Sequence, residues 1–113
     1  MLATDLQSFS RRAHEGLKYR EVAAPTYHVE SGHNFIVCDT TSTAISIFLP
    51  FAGSYPAGHV IAVKDFGNAK SNNITIHAKA PNTIDGQSTA VLKWNYAGVD
   101  LVSNGKSAWL IKA

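Results

Sequence analysis

Two stretches decide the fold of this chain, Ala44-Ile45-Ser46-Ile47-Phe48-Leu49-Pro50 and Asn72-Asn73-Ile74-Thr75-Ile76. In each, isoleucines alternate with other residues, so every second side chain lies on the same face of an extended strand. Pro50 closes the first stretch, and two asparagines open the second, as is typical of strand ends and turns. Both stretches therefore predict short strands with one apolar face.

The same pattern continues on both sides of these stretches. Asp85-Gly86 and Asn104-Gly105 are strong signals for tight turns between strands. The predicted strands are Thr26–Glu30, Phe35–Asp39, Ala44–Leu49, His59–Asp65, Asn73–Ala78, Asn82–Asp85, Thr89–Asn95, Val99–Ser103 and Ala108–Lys112. Regular short strands predict an all-β fold, a compact antiparallel β-sandwich or barrel-like domain of eight or nine short strands.

The first residues follow a helical rather than an alternating period. Apolar side chains recur every three or four positions and share one helical face: Leu2, Leu6, Phe9, Ala13 and Leu17. This predicts a short N-terminal helix from about Asp5 to Glu15, too short to be stable alone in water. The chain is accordingly divided into residues 1–25, a helical anchor and connector, and residues 26–113, a β-rich domain.

Composition limits the classes of partner. The chain has 113 residues, enough for one domain, and a formal net charge of only +2. Charged residues make up 16% of the chain and form no basic stripe, so nucleic acid is not an expected partner. No signal peptide is recognisable, and no run approaches the roughly 20 apolar residues of a membrane span.

Candidate catalytic groups are few and scattered. Cys38 is the single cysteine and lies in an apolar strand, which favours a small buried hydrophobe over a nucleophile. Asp39, Asp65 and Asp85 each stand at a strand end, where aspartate forms turns. The alternative, a glycoside-cleaving pair, requires two carboxyl groups at a fixed short separation. The five histidines lack the spacing of a metal site. We therefore expect no enzymatic activity, no metal and no cofactor.

Aromatic residues are the better candidates for contact with a ligand. Alternation places Trp94 and Tyr96 on one strand face, and Tyr55 lies in a loop containing glycine and proline. One interpretation is a core or intersubunit contact. The other is a platform on which a sugar ring stacks, with Tyr55, Trp94 and Tyr96 as the contact residues.

The order of the motifs also resembles a β-rich module found in the fibres and virion-surface, or decoration, proteins of tailed bacteriophages. The resemblance covers about residues 26–112. It rests on Asp39-Thr40-Thr41, Ala44–Pro50, Val63-Lys64-Asp65 with Gly67-Asn68-Ala69, Asn72–Ile76, Thr83-Ile84-Asp85-Gly86, Leu101–Gly105 and Trp109. Ser46 stands where threonine is usual, and Phe48 where a smaller β-branched residue is usual.

The resemblance implies a structural virion protein, a homotrimer on the virion surface. The single cysteine allows no intrachain disulfide, which fits assembly in the reducing host cytoplasm. On this interpretation the N-terminal segment anchors the protein to another virion protein, either a capsid or a tail component. The expected anchoring residues are Leu2, Leu6, Phe9, Arg11, Arg12 and Leu17. The alternative is a receptor-binding fibre head that recognises host surface glycans. Tail and capsid placements both remain open.

Overall fold

The computed structural model describes residues 17–112, which form ten strands and one short 3-10 helix. The strands are β1 Tyr19–Val22, β2 Thr26–His28, β3 Phe35–Cys38, β4 Ile45–Phe48, β5 Val60–Asp65, β6 Ile74–His77, β7 Thr83–Ile84, β8 Thr89–Leu92, β9 Gly98–Ser103 and β10 Ala108–Lys112. The 3-10 helix is Ala52–Ser54. No helix in residues 17–112 is long and apolar enough to cross a membrane.

The chain passes back and forth between two sheets. One sheet has six strands in the order β1-β3-β5-β9-β10-β7, and the other has four in the order β2-β4-β6-β8. Strands β1, β3 and β5 are parallel neighbours, and so are β2, β4 and β6. The first six strands therefore form three stacked coils, each of which contributes one strand to each sheet.

The all-β prediction is confirmed, whereas the predicted antiparallel pairing is wrong for most of the fold. Five of the eight strand pairings are parallel. Each of the nine predicted stretches contains a strand, and β1 is an additional strand within the predicted connector. The predicted helix from Asp5 to Glu15 lies outside the described residues.

The parallel pairing follows from how the strands are connected. Two parallel neighbours need a crossover of a dozen or more residues. Here the crossover is itself a strand of the other sheet: the chain leaves β3, forms β4 and then returns to pair β5 with β3. Alternation in the sequence shows which face of a strand is buried. It carries no information about the direction of the neighbouring strand.

The core lies between the inner faces of the two sheets. Parallel register stacks isoleucines in rows, as where Ile47 of β4 lies beside Ile76 of β6, and both side chains are fully buried. Trp109 of β10 is also fully buried, and its indole N–H donates to the Pro50 carbonyl over 3.2 Å. This bond connects β10 to Pro50, the residue that follows the predicted strand Ala44–Leu49.

Both predicted tight turns are confirmed. Asp85 and Gly86 have φ angles of 48° and 83°, the left-handed values of a two-residue turn between strands. Gly105 has a φ of 77°, and the side-chain oxygen of Asn104 accepts hydrogen bonds from the backbone N–H groups of residues 106–108. The second turn joins β9 to β10, which pair antiparallel.

Cys38 is fully buried on the inner face of β3, as predicted for a small hydrophobe. Burial raises the pKa of the Cys38 thiol to about 12, and the negative charge of Asp65 adds to this effect. We expect the native protein to resist a thiol-specific reagent at about pH 8, because only about one thiol in ten thousand is ionised there. Denaturant should release one reactive thiol per chain. Complete labelling of the native protein within minutes would contradict the buried placement.

Candidate functional site

A buried carboxylate organises one end of the domain. Asp65 ends β5 and is fully buried, with one oxygen, Oδ1, accepting a hydrogen bond from the Thr40 hydroxyl over 2.6 Å. Its other oxygen, Oδ2, accepts the backbone N–H of Tyr96 over 2.8 Å and those of Gly67 and Ala69 over 3.3 Å. A buried charge is tolerated when such bonds replace its hydration. Three separate loops therefore meet at one side chain.

Thr40 extends this network across the loop that follows β3. Its hydroxyl oxygen accepts the Asn68 N–H over 2.6 Å, and its carbonyl accepts the Asn72 side-chain amide over 2.8 Å. Gly67 lies against the same loop, where an added Cβ would stand 2.9 Å from the backbone nitrogens of Thr40 and Thr41. Only glycine permits this close approach of the two loops.

The network holds three exposed aromatic side chains at the surface, a group that we call the aromatic corner: Phe66, Trp94 and Tyr96. Phe66 directly follows Asp65 and is 53% exposed, while Trp94 is 69% and Tyr96 57% exposed. The Phe66 and Tyr96 rings meet edge to face, with centroids 6.4 Å apart. Tyr96 has a left-handed backbone with a φ of 63°, and the Lys64 ammonium donates to its carbonyl. Exposed rings on turns fixed in this way form a contact surface.

The aromatic corner presents three exposed rings to solvent. Exposed aromatic rings bind sugar or apolar groups through their faces and edges. The nearby carboxylate of Asp65 is buried behind the turns and already accepts four hydrogen bonds. Within residues 17–112, no group of three or more histidine, cysteine, aspartate or glutamate side chains is arranged to hold a metal ion.

Trp94 and Tyr96 lie in one turn, and not on one strand face as their alternation predicted. Strand β8 ends at Leu92, and both aromatic residues belong to the turn that follows, where the Ala97 N–H donates to the Trp94 carbonyl over 3.1 Å. The shared strand face was therefore a wrong interpretation, because the bond from Tyr96 to Asp65 forces a turn. Both rings are exposed nonetheless.

Tyr55 does not join the aromatic corner. It is half-buried, stacks on His59 with ring centroids 4.2 Å apart, and meets the edge of Trp109. His59 precedes β5 and Phe66 follows it, so the two groups lie roughly 20 Å apart along the strand. Burial, with a smaller effect from Lys18, lowers the pKa of His59.

Phe66 was not predicted as a site residue. It could have been recognised in the sequence as an aromatic residue that follows the last aspartate of a strand and precedes a glycine, outside the alternation of β5. Of the predicted anchoring residues, Leu17 is 50% exposed just before β1. The others lie outside the described residues: Leu2, Leu6, Phe9, Arg11 and Arg12.

No protein-family model matches this chain, and no curated protein is significantly similar to it.

Replacing Asp65 with asparagine should destabilise the domain by about 2–4 kcal/mol. One carboxylate oxygen would become an amide N–H₂ group, which cannot accept the hydrogen bonds that this oxygen now accepts. Asp100→Asn is a matched control, since Asp100 is partly exposed on β9 and makes no side-chain hydrogen bond among the described residues. Urea unfolding measures both variants. Equal midpoints for the two variants would show that the carboxylate is not what holds the three loops.

Proposed function

We propose that this protein is a structural component of the virion surface of a tailed bacteriophage, a homotrimer anchored through its N-terminal segment. The proposal is supported by the ordered resemblance to phage fibre and decoration modules. It is also supported by the role of the motif residues, since Thr40, Asp65, Gly67 and Asn72 tie loops together. A motif that builds rigid turns suits a protein whose function is to present a surface.

The observation that carries the proposal is an apolar patch on the outer side of the six-stranded sheet, which we call the apolar face. Register places Tyr19 beside Phe35 and Phe35 beside Ala62, and Val102 lies between its partners on β5 and β10. The apolar face comprises Tyr19, Phe35, Val60, Ala62, Val102 and Leu110. Tyr19 and Leu110 are about half exposed. Contiguous apolar surface of this kind is typical of subunit interfaces.

Charges of both signs border the apolar face. Asp100 lies beside Ala62 on one side and Lys112 on the other, while Glu21 and Lys64 flank Val37 in the next row. A surface with paired opposite charges is complementary to another copy of itself when the copies are rotated relative to one another. The chemistry of this face therefore supports association between identical chains.

We expect the purified protein to be a trimer in light scattering at micromolar concentration. Leu110→Lys should shift it to monomer, because burying an ammonium in an apolar interface without a partner is strongly unfavourable. Val91→Lys is the matched control, since Val91 is exposed to a similar degree on the outer side of the other sheet. A wild-type monomer would overturn the proposal, and so would a trimer that Leu110→Lys leaves intact.

An alternative function is a receptor-binding fibre head that recognises host surface glycans. The aromatic corner favours it, because Trp94 and Tyr96 present exposed rings on turns held by Asp65. Rings carried on a backbone that is fixed before binding lose less conformational entropy when a sugar stacks on them. In this function the trimer would present three such corners, and weak contacts would add through multivalency.

A glycan array separates the two functions. For a receptor-binding head, the wild-type protein should bind one class of glycan, and Trp94→Ala with Tyr96→Ala should reduce binding about tenfold or more. Phe51→Ala is the control, since Phe51 is an exposed aromatic residue at the opposite end of the domain. Binding to no glycan, or equal binding by the wild-type protein and all variants, would contradict the receptor-binding function. The structural role would then stand alone.

A further inference from the structure

A row of three rings crosses the outer side of the four-stranded sheet. His28 of β2, Phe48 of β4 and His77 of β6 are register partners on neighbouring strands. Their ring centroids are 4.7 Å and 4.5 Å apart, and the planes differ by only 16° and 11°. These separations match the spacing of about 4.8 Å between strands. The parallel register therefore fixes the rings face to face, and we call them the ring stack.

The stack leaves the edges of both imidazoles available. Each histidine uses one ring face against Phe48, and neither forms a side-chain hydrogen bond with any residue in the described part of the chain. His28 is exposed and His77 is half-buried. Because Phe48 lies between them, the two imidazoles do not converge on one point, as metal ligands would. They present two separate donors in fixed positions.

The ring stack borders a groove of about 310 Å³, close to the volume of a small-ligand site. The groove lies at the carboxyl ends of β2, β4 and β6. Its lining residues are His28, Val29, Phe48, Leu49, Pro50, His77, Ala78 and Lys79. The Lys79 ammonium lies 4.5 Å from the centroid of the exposed Phe51 ring, which places a cation at the same end of the groove.

The lining has cationic or protonatable groups and apolar walls. Its titratable groups are His28 from β2, His77 from β6 and Lys79 after β6, and none of the described lining residues is acidic. From β8, the residue beside His77 is the uncharged Thr89. Both faces of Phe48 are covered by imidazoles, so no ring face remains there for a sugar to stack on. The chemistry of the groove favours an anion with an apolar body.

We propose that this groove binds a small organic dianion, with its apolar body against Pro50 and Ala78 and its anionic groups at His28 and His77. The two histidines are two strands apart, roughly 10 Å, so a single carboxylate cannot reach both. A protonated imidazole has two N–H donors and a positive charge, whereas a neutral one has a single donor. Each imidazole can therefore donate to an anionic group in either form, and Lys79 adds a positive charge at the same end of the groove.

The test uses the full chain and suberate, a linear dicarboxylate, with 1,8-octanediol as the uncharged probe of the same length. Calorimetry should show saturable binding of suberate, with a dissociation constant below about 10 mM. Ring signals of His28 and His77 should shift in carbon–proton NMR spectra, while those of His33 should not. Octanediol should not bind measurably.

Substitutions test whether these side chains bind suberate. His28→Ala with His77→Ala should weaken suberate binding about tenfold, because both N–H donors are removed. His33→Ala is the matched control, because His33 is half-buried and contacts Tyr27 instead of the groove. Should the double variant fail to fold, Lys79→Gln should weaken binding severalfold without touching the ring stack. The proposal is overturned by absence of saturable binding at about 10 mM suberate, by equal affinity of the wild-type protein and the His28 and His77 double variant, or by equal binding of octanediol.

Discussion

The buried carboxylate of Asp65 constrains how three loops meet at one end of the domain. A charge removed from water must regain its hydrogen bonds, and an isolated one would cost many kilocalories per mole. In the described part of the chain, its partners are one hydroxyl and three backbone N–H groups, which together come from three loops. The loops can satisfy the carboxylate only in one arrangement. Asp65 therefore determines where Phe66 and Tyr96 reach the surface.

The second constraint is parallel register between successive coils. Stacking like positions at the strand spacing places isoleucines beside isoleucines in the core. The same repeat places His28, Phe48 and His77 in a stack on one outer side, and Tyr19 beside Phe35 on the other. Parallel register thus generates the rows of isoleucines, the ring stack and the Tyr19 and Phe35 part of the apolar face. Val102 and Leu110 reach the apolar face through antiparallel pairs instead.

The sequence predicted the local features of the fold. Alternation in Ala44–Leu49 located a strand and its buried face, and Asn104-Gly105 located a turn, because both features depend on neighbouring residues. Strand direction and the additional strand β1 depend on distant partners, so alternation did not predict them. The candidate site was predicted in part. Trp94 and Tyr96 were named, but their turn follows from a bond to Asp65, 31 residues before Tyr96.

Native-state hydrogen exchange at the amides of Asn68, Ala69 and Tyr96 tests the central role of the carboxylate most directly. These N–H groups belong to two different loops and are bound to Asp65 or to Thr40. If one buried network holds both loops, the three amides should exchange slowly and with the same opening free energy, close to that of global unfolding. Rapid and independent exchange, as expected for free surface loops, would show that the Asp65 carboxylate does not hold the two loops together.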